Sequence, residues 1–100
     1  MIDPVVKLSK TYEFEGERIS EVDLSGIDNL TAKDMFKAHQ NMTMQKHVSV
    51  QLESDPVYCK LIASFATQIP SEFFDEISLK DFTKVKNKVS AYFFAPEDQG

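Results

Sequence analysis

The hydrophobic residues change period partway along the chain, and that change limits the folds open to it. Before Gly26 they alternate. Leu8, Tyr12 and Phe14 fall on one side of an extended run, with Lys7, Ser9, Thr11 and Glu13 on the other, which is the two-residue repeat of a strand with one covered face. Gly16, between Glu15 and Glu17, supplies a turn, and Ile19, Val22 and Leu24 mark a second extended run. A β-hairpin over residues 1–26 is the expected start. The uneven apolar spacing of the second run predicts a bulge or twist there, and Gly26 ends it.

From Thr31 the period becomes helical. The stretch TAKD places a Thr three residues before an acid, the pattern that caps a helix N-terminus. Met35, Phe36, His39 and Met42 then recur at three- and four-residue steps, predicting an apolar face with Lys33, Lys37, Gln40 and Gln45 outside. The pattern weakens beyond Lys46. Residues 48–55, VSVQLESD, read as a frayed helix end, a short extended segment or a loop, with Val48, Val50 and Leu52 leaning towards the extended form.

A second helix begins at Ser54 or Asp55 with Pro56 in its first turn, where a missing N–H costs nothing. Tyr58, Leu61, Ile62, Phe65 and Ile69 give it a broad apolar face, so it is the expected core helix, stopped at Ile69 by Pro70. Ser71 then caps a one-turn elbow in which Phe73 or Phe74 plugs the helix pair while Glu72, Asp75 and Glu76 stay in water. Ser78 and Asp81 open a last helix with Leu79, Phe82, Val85, Val89, Tyr92 and Phe93 on one face, ended by Pro96. The fold class is α+β: an N-terminal hairpin followed by about three helices and a short helical elbow. One small domain over residues 1–95 is expected, its helical part spanning 31–95, with residues 96–100 a disordered tail.

Composition narrows the functional classes. With 42% hydrophobic and 27% charged residues the chain reads as an ordinary soluble domain. A net charge of -5 disfavours a nucleic-acid partner, whose phosphates need clustered Lys and Arg. No stretch approaches the roughly 18 apolar residues of a membrane span, and the N-terminus lacks the apolar core of a signal peptide, so no membrane role and a cytoplasmic location are expected. The single cysteine, Cys59, sits in an apolar stretch, where a thiol is usually inert. His39 and His47 are eight positions apart with no carboxylate or thiol at ligand spacing. With three glycines there is no phosphate-cradling loop. No metal, no cofactor and no catalysis are expected.

Three segments in order, the hairpin LSKTYEFEGERISEVDL, the helix opening TAKDMF and the terminal ATQIPSEFFDEISLKDFTKVKNKVSAYF, resemble the Mu-like family of bacteriophage tail assembly chaperones. The terminal element carries the family's proline, acidic turn and Leu-x-x-Asp-Phe, here Pro70 and then Leu79, Lys80, Asp81 and Phe82. The middle, NMTMQKHVSVQLESD, matches no part of that pattern. The resemblance implies a non-enzymatic protein of phage or prophage origin. It would bind the tape measure protein in the host cytoplasm, keep it soluble until tail tube subunits polymerise around it, and be absent from the mature virion. A longer frameshift form contacting the tail tube protein is implied by the same resemblance. The alternative is a small tail-completion or connector component retained in the particle.

For such a role the candidate partner contacts are Met35, Met42, Met44, Phe73, Phe74 and Phe94, which could cover an amphipathic helix. Lys80, Lys84 and Lys88 add a basic edge that could meet an acidic target, or Glu72, Asp75 and Glu76 of a neighbouring copy in a homo-oligomer.

Overall fold

In the computed structural model, which describes residues 4–46 and 55–94, the alternating N-terminal segment forms an antiparallel hairpin of β1, Val5–Phe14, and β2, Glu17–Asp23. Glu15 and Gly16 make the two-residue turn with φ of 51° and 83°. Positive φ at both positions is what a turn matching the twist of the strands requires. The ladder has an irregularity, on the first strand rather than the second, contrary to expectation. Between the pairs Lys7↔Glu21 and Tyr12↔Ile19, residues 8–11 of β1 stand opposite Ser20 alone. The surplus interrupts the strand ladder, and the Ser9 N–H is donated to Asp81 instead.

A 3-10 turn, Ser25–Asn29, leads out of the hairpin, with the Ser25 N–H donated to the Asp23 carboxylate at 2.9 Å. Gly26 is required there by proximity rather than by φ. A Cβ at this position would lie 2.2 Å from the carbonyl oxygen of Ala66, so only glycine lets the turn rest on the helix beneath.

Helix α1, Ala32–Met44, starts at Thr31, whose N–H is accepted by the Asp34 carboxylate at 2.9 Å, one half of a capping box. Its buried face matches the expected one only at Met42. Ala38 and Met42 are buried, whereas Phe36 is 65% exposed. At about 100° per residue Phe36 lies roughly 140° from the Ala38–Met42 line. A small Ala at the contact brings α1 close to its neighbour, and the His39 ring meets Tyr58 edge-on at 6.0 Å.

Helix α2, Pro56–Thr67, is the core helix, with Tyr58, Cys59, Leu61, Ile62 and Ala63 all buried. Asp55 caps it, accepting the Val57 and Tyr58 N–H groups at 2.9 and 3.2 Å. It ends at Thr67, two residues before the predicted stop, because Gln68 takes a left-handed conformation. The Ser64 hydroxyl then secures the exit by donating to the Ile69 carbonyl at 2.7 Å.

The elbow is α3, Ser71–Glu76, with Ser71 its first helical residue and Pro70, rather than Ser71, in the capping position. Phe73 and Phe74 plug inward as the sequence predicts. Phe73 packs edge-on against Tyr12 and Phe14 of the hairpin at 6.0 and 5.6 Å, and against Phe74 at 5.3 Å. Last comes α4, Leu79–Phe94, which buries Val85 and Val89 and half-buries Phe82 and Tyr92. Leu79, expected on that face, is 82% exposed. It lies about 100° round the helix from the Val85–Val89 line. The predicted helix end at Pro96, the polar tail and the segment 48–54 lie outside the described residues.

Candidate functional site

A buried carboxylate ties the hairpin to the last helix. Asp81 is fully buried and accepts the Ser9 N–H at 2.9 Å, the Ser9 hydroxyl at 2.8 Å and the Tyr12 hydroxyl at 2.6 Å. Its own N–H is donated to the Ser78 hydroxyl at 3.1 Å, and the Ser78 N–H is donated to the Tyr12 oxygen at 3.0 Å. Tyr12 thus takes the place that the acid of an ordinary capping box would fill. Burial alone would push the Asp81 carboxyl up. The hydrogen bonds from Tyr12 and Ser9 and the nearby Lys84 charge outweigh it, holding the carboxyl at about 2. An ionised, hydrogen-bonded group whose partners are all internal is a structural fastener, and it leaves no proton to exchange near neutral pH.

Cys59 shows the opposite balance. It is fully buried on α2, burial pushes its thiol up, and its sulfur lies 3.7 Å from the Ser90 hydroxyl. Among the described residues no three His, Cys, Asp or Glu side chains are placed to hold a metal, and no helix is long and apolar enough to cross a membrane.

Two concave surface features are lined mainly by apolar residues. Val57, Phe74, Ile77, Leu79 and Phe82 line an open groove of about 360 Å³ where α2, α3 and the start of α4 meet, with Pro56, Lys60 and Asp75 completing it. Lys60 and Asp75 pair across it at 3.0 Å. A smaller slot of about 220 Å³ runs between the 3-10 turn, α1 and α2, lined by Ile27, Leu30, Met35, Tyr58 and Ile62 among others. On α1, Phe36 and Met44 project into solvent, 65% and 79% exposed.

The sequence-predicted contacts separate accordingly. Met35 and Met44 are at the surface. Met42 and Phe73 are buried in the core and have no surface to offer a partner, because they lie on the faces that α1 and α3 turn inward. Phe74 is nearly as buried, yet its ring forms part of the groove lining. The side chain of Phe94 lies outside the described residues. Of the basic edge, Lys80 is exposed and Lys88 half-buried. Lys84 is engaged internally, donating to the Lys7 carbonyl at 3.2 Å and lying 3.7 Å from Asp81. Two exposed apolar residues, Phe36 and Leu79, were assigned to buried faces by periodicity. Their angular distance from the Ala38–Met42 and Val85–Val89 lines is the signal that separates them.

A family profile described as "Phage tail assembly chaperone proteins, E, or 41 or 14" matches residues 5–93. The chain belongs to the phage tail assembly chaperone family. The match runs from the first residue of β1 into the last turn of α4, so hairpin, core helix, elbow and terminal helix together form the unit the family shares. No curated protein and no solved structure matches this tail assembly chaperone.

Proposed function

We propose that this tail assembly chaperone acts without catalysis, binding the tape measure protein in the host cytoplasm and keeping it soluble until tail tube subunits polymerise around it. The observation that carries the reading is the open groove between α2, α3 and α4, with Leu79 exposed at its edge. A tape measure chain built of amphipathic helices presents apolar stripes that aggregate when uncovered, and a short apolar groove is suited to covering one turn of such a stripe. At about 360 Å³ the groove takes one or two side chains rather than a long segment. Many copies spread along the target, each held weakly, would allow stepwise displacement by tube subunits. A longer frameshift product would add the contact to the tail tube protein, and the chaperone would leave before the particle is complete.

The test of departure is the composition of purified tails by quantitative mass spectrometry. A chaperone is abundant in the assembling lysate and missing from finished tails. Its recovery in fixed ratio to the tube protein would contradict the proposal and establish a retained virion component.

A further inference from the structure

The two helices that form the outer walls of the groove are charged with opposite sign. On one side α3 carries Glu72, Asp75 and Glu76, all exposed, and no basic residue. On the other α4 carries Lys80, Lys84, Lys86 and Lys88, while its single acid, Asp81, is buried and bonded to Ser9 and Tyr12. The charged surface of α4 is therefore entirely basic, in a chain whose net charge is -5.

Local contacts decide which of these charges face the groove. Lys60 of α2 pairs with Asp75 at 3.0 Å, so these two cancel and leave Glu72 and Glu76 as the surplus of the α3 rim. Lys84 is turned to the hairpin, where it donates to the Lys7 carbonyl. Lys86 stands one turn beyond Phe82 and two beyond Leu79, the residues that α4 contributes to the lining. It also lies near α2, for burial pushes the Cys59 thiol up and the Lys86 charge pulls it back in part. Lys80, next to Leu79, is exposed. The apolar floor of Phe74, Ile77 and Phe82 thus runs between an acidic rim and a basic one.

We propose that the groove selects amphipathic helices whose apolar stripe is bordered by basic residues on one flank and acidic residues on the other, the bases meeting Glu72 and Glu76 and the acids meeting Lys80 and Lys86. This selectivity rests on the groove being the tape measure site, as proposed above, and specifies the kind of segment it takes. Apolar insertion supplies the affinity, and the rims supply specificity and direction. A mixed-flank helix turned end for end would set each flank against a like charge. A helix with the same charge on both flanks loses on one rim what it gains on the other.

The test titrates the full chain into three labelled synthetic helical peptides and reads fluorescence anisotropy. All three share one leucine stripe. Their flanks carry glutamate on one side and lysine on the other, glutamate on both sides, or lysine on both sides. The mixed peptide should bind about tenfold more tightly than either uniform one at low salt, as expected when surface ion pairs are exchanged for repulsions, and the margin should narrow as salt is added. E72K with E76K makes both rims basic and should transfer the preference to the glutamate peptide. K80E with K86E makes both rims acidic and should transfer it to the lysine peptide. Lys80→Glu alone, at an exposed position, should shift the preference in the same direction by a smaller factor, which serves if the Lys86 change disturbs the circular dichroism spectrum. E15K with E17K alters net charge by as much as E72K with E76K, but at the hairpin turn, and should leave the mixed peptide preferred. An equal shift from that pair would overturn the selection by the rims. So would equal affinity for all three peptides, and if Leu79→Asp still weakened that binding the groove would stand as the tape measure site. Binding of no peptide, or binding that Leu79→Asp leaves unchanged, would overturn both.

Discussion

Removing the Asp81 carboxylate should loosen the hairpin from the helices, and the size of the effect can be worked from its contacts. Three donors converge on it from β1, the Ser9 N–H, the Ser9 hydroxyl and the Tyr12 hydroxyl. A hydrogen bond to a charged group is worth about 1.5–3 kcal/mol net, but donors sharing one acceptor are not additive, and burying the charge offsets part of the gain. The displacement of the carboxyl from the ordinary 3.8 to about 2 gives a separate figure, about 2 kcal/mol favouring the ionised folded form. Asp81→Ala also leaves those donors buried without an acceptor, so its cost should reach about 3–5 kcal/mol. Asp81→Asn keeps an acceptor for the Ser9 N–H while turning an amide donor towards a hydroxyl, and about 2 kcal/mol is expected. A domain of this length has roughly 5–15 kcal/mol in total.

Equilibrium urea denaturation measures both variants. With a slope of about 1–2 kcal/mol/M, Asp81→Asn lowers the midpoint by about 1–2 M and Asp81→Ala by more. The pH dependence has a fixed sign. A carboxyl whose folded pKa lies below its unfolded value stabilises the fold above pH 4, and this contribution is lost as pH falls from about 4 towards 2. Wild-type stability should therefore drop across that window more steeply than that of Asp81→Asn. A cooperative Asp81→Ala transition within 0.5 kcal/mol of wild type, as expected for an ordinary surface substitution, would refute the fastener role, as would identical acid slopes for wild type and Asp81→Asn.

Three further substitutions test local features by the same denaturation assay. Gly26→Ala forces a Cβ to within 2.2 Å of the Ala66 oxygen, so the 3-10 turn must lift off α2 at a cost of about 2–3 kcal/mol. Gly16→Ala places a side chain at φ of 83° in an otherwise open turn and should cost about 1 kcal/mol through backbone strain alone. Asp55→Ala removes the acceptor for two N–H groups at the start of α2, worth about 1 kcal/mol.

The hairpin, the caps at Thr31, Asp55 and Ser78, and the order of the helices were legible because each depends on residues close together in sequence. The features that escaped depend on distant partners. Asp81 reads locally as a capping acid, and its further contacts require Ser9, 72 residues away, which lies in the irregular stretch of β1. Gly26 reads as a turn residue until Ala66 is placed beneath it. Phe36 and Leu79 satisfy a helical repeat on paper, but which stripe of an amphipathic helix faces the core is settled by small residues such as Ala38 that permit close approach. For this reason the division between surface and interior was only partly readable. Met35 and Met44 lie at the surface, Met42 and Phe73 lie in the interior, and the groove requires three helices to be positioned before it exists.

The most direct measurement is co-expression of this chain with the tape measure protein of the same phage, scoring how much of the long chain stays soluble and co-purifies. A Leu79→Asp variant is the control. Leu79 is 82% exposed and opens α4, where a carboxylate suits the helix N-terminus, so the fold should be unaffected while the edge of the groove becomes charged. The account predicts a soluble complex with the wild-type chain and loss of most of the soluble partner with Leu79→Asp. Equal recovery with both chains would move the contact away from the groove. A tape measure protein that stays insoluble with the wild-type chain would contradict the chaperone role of this form of the protein.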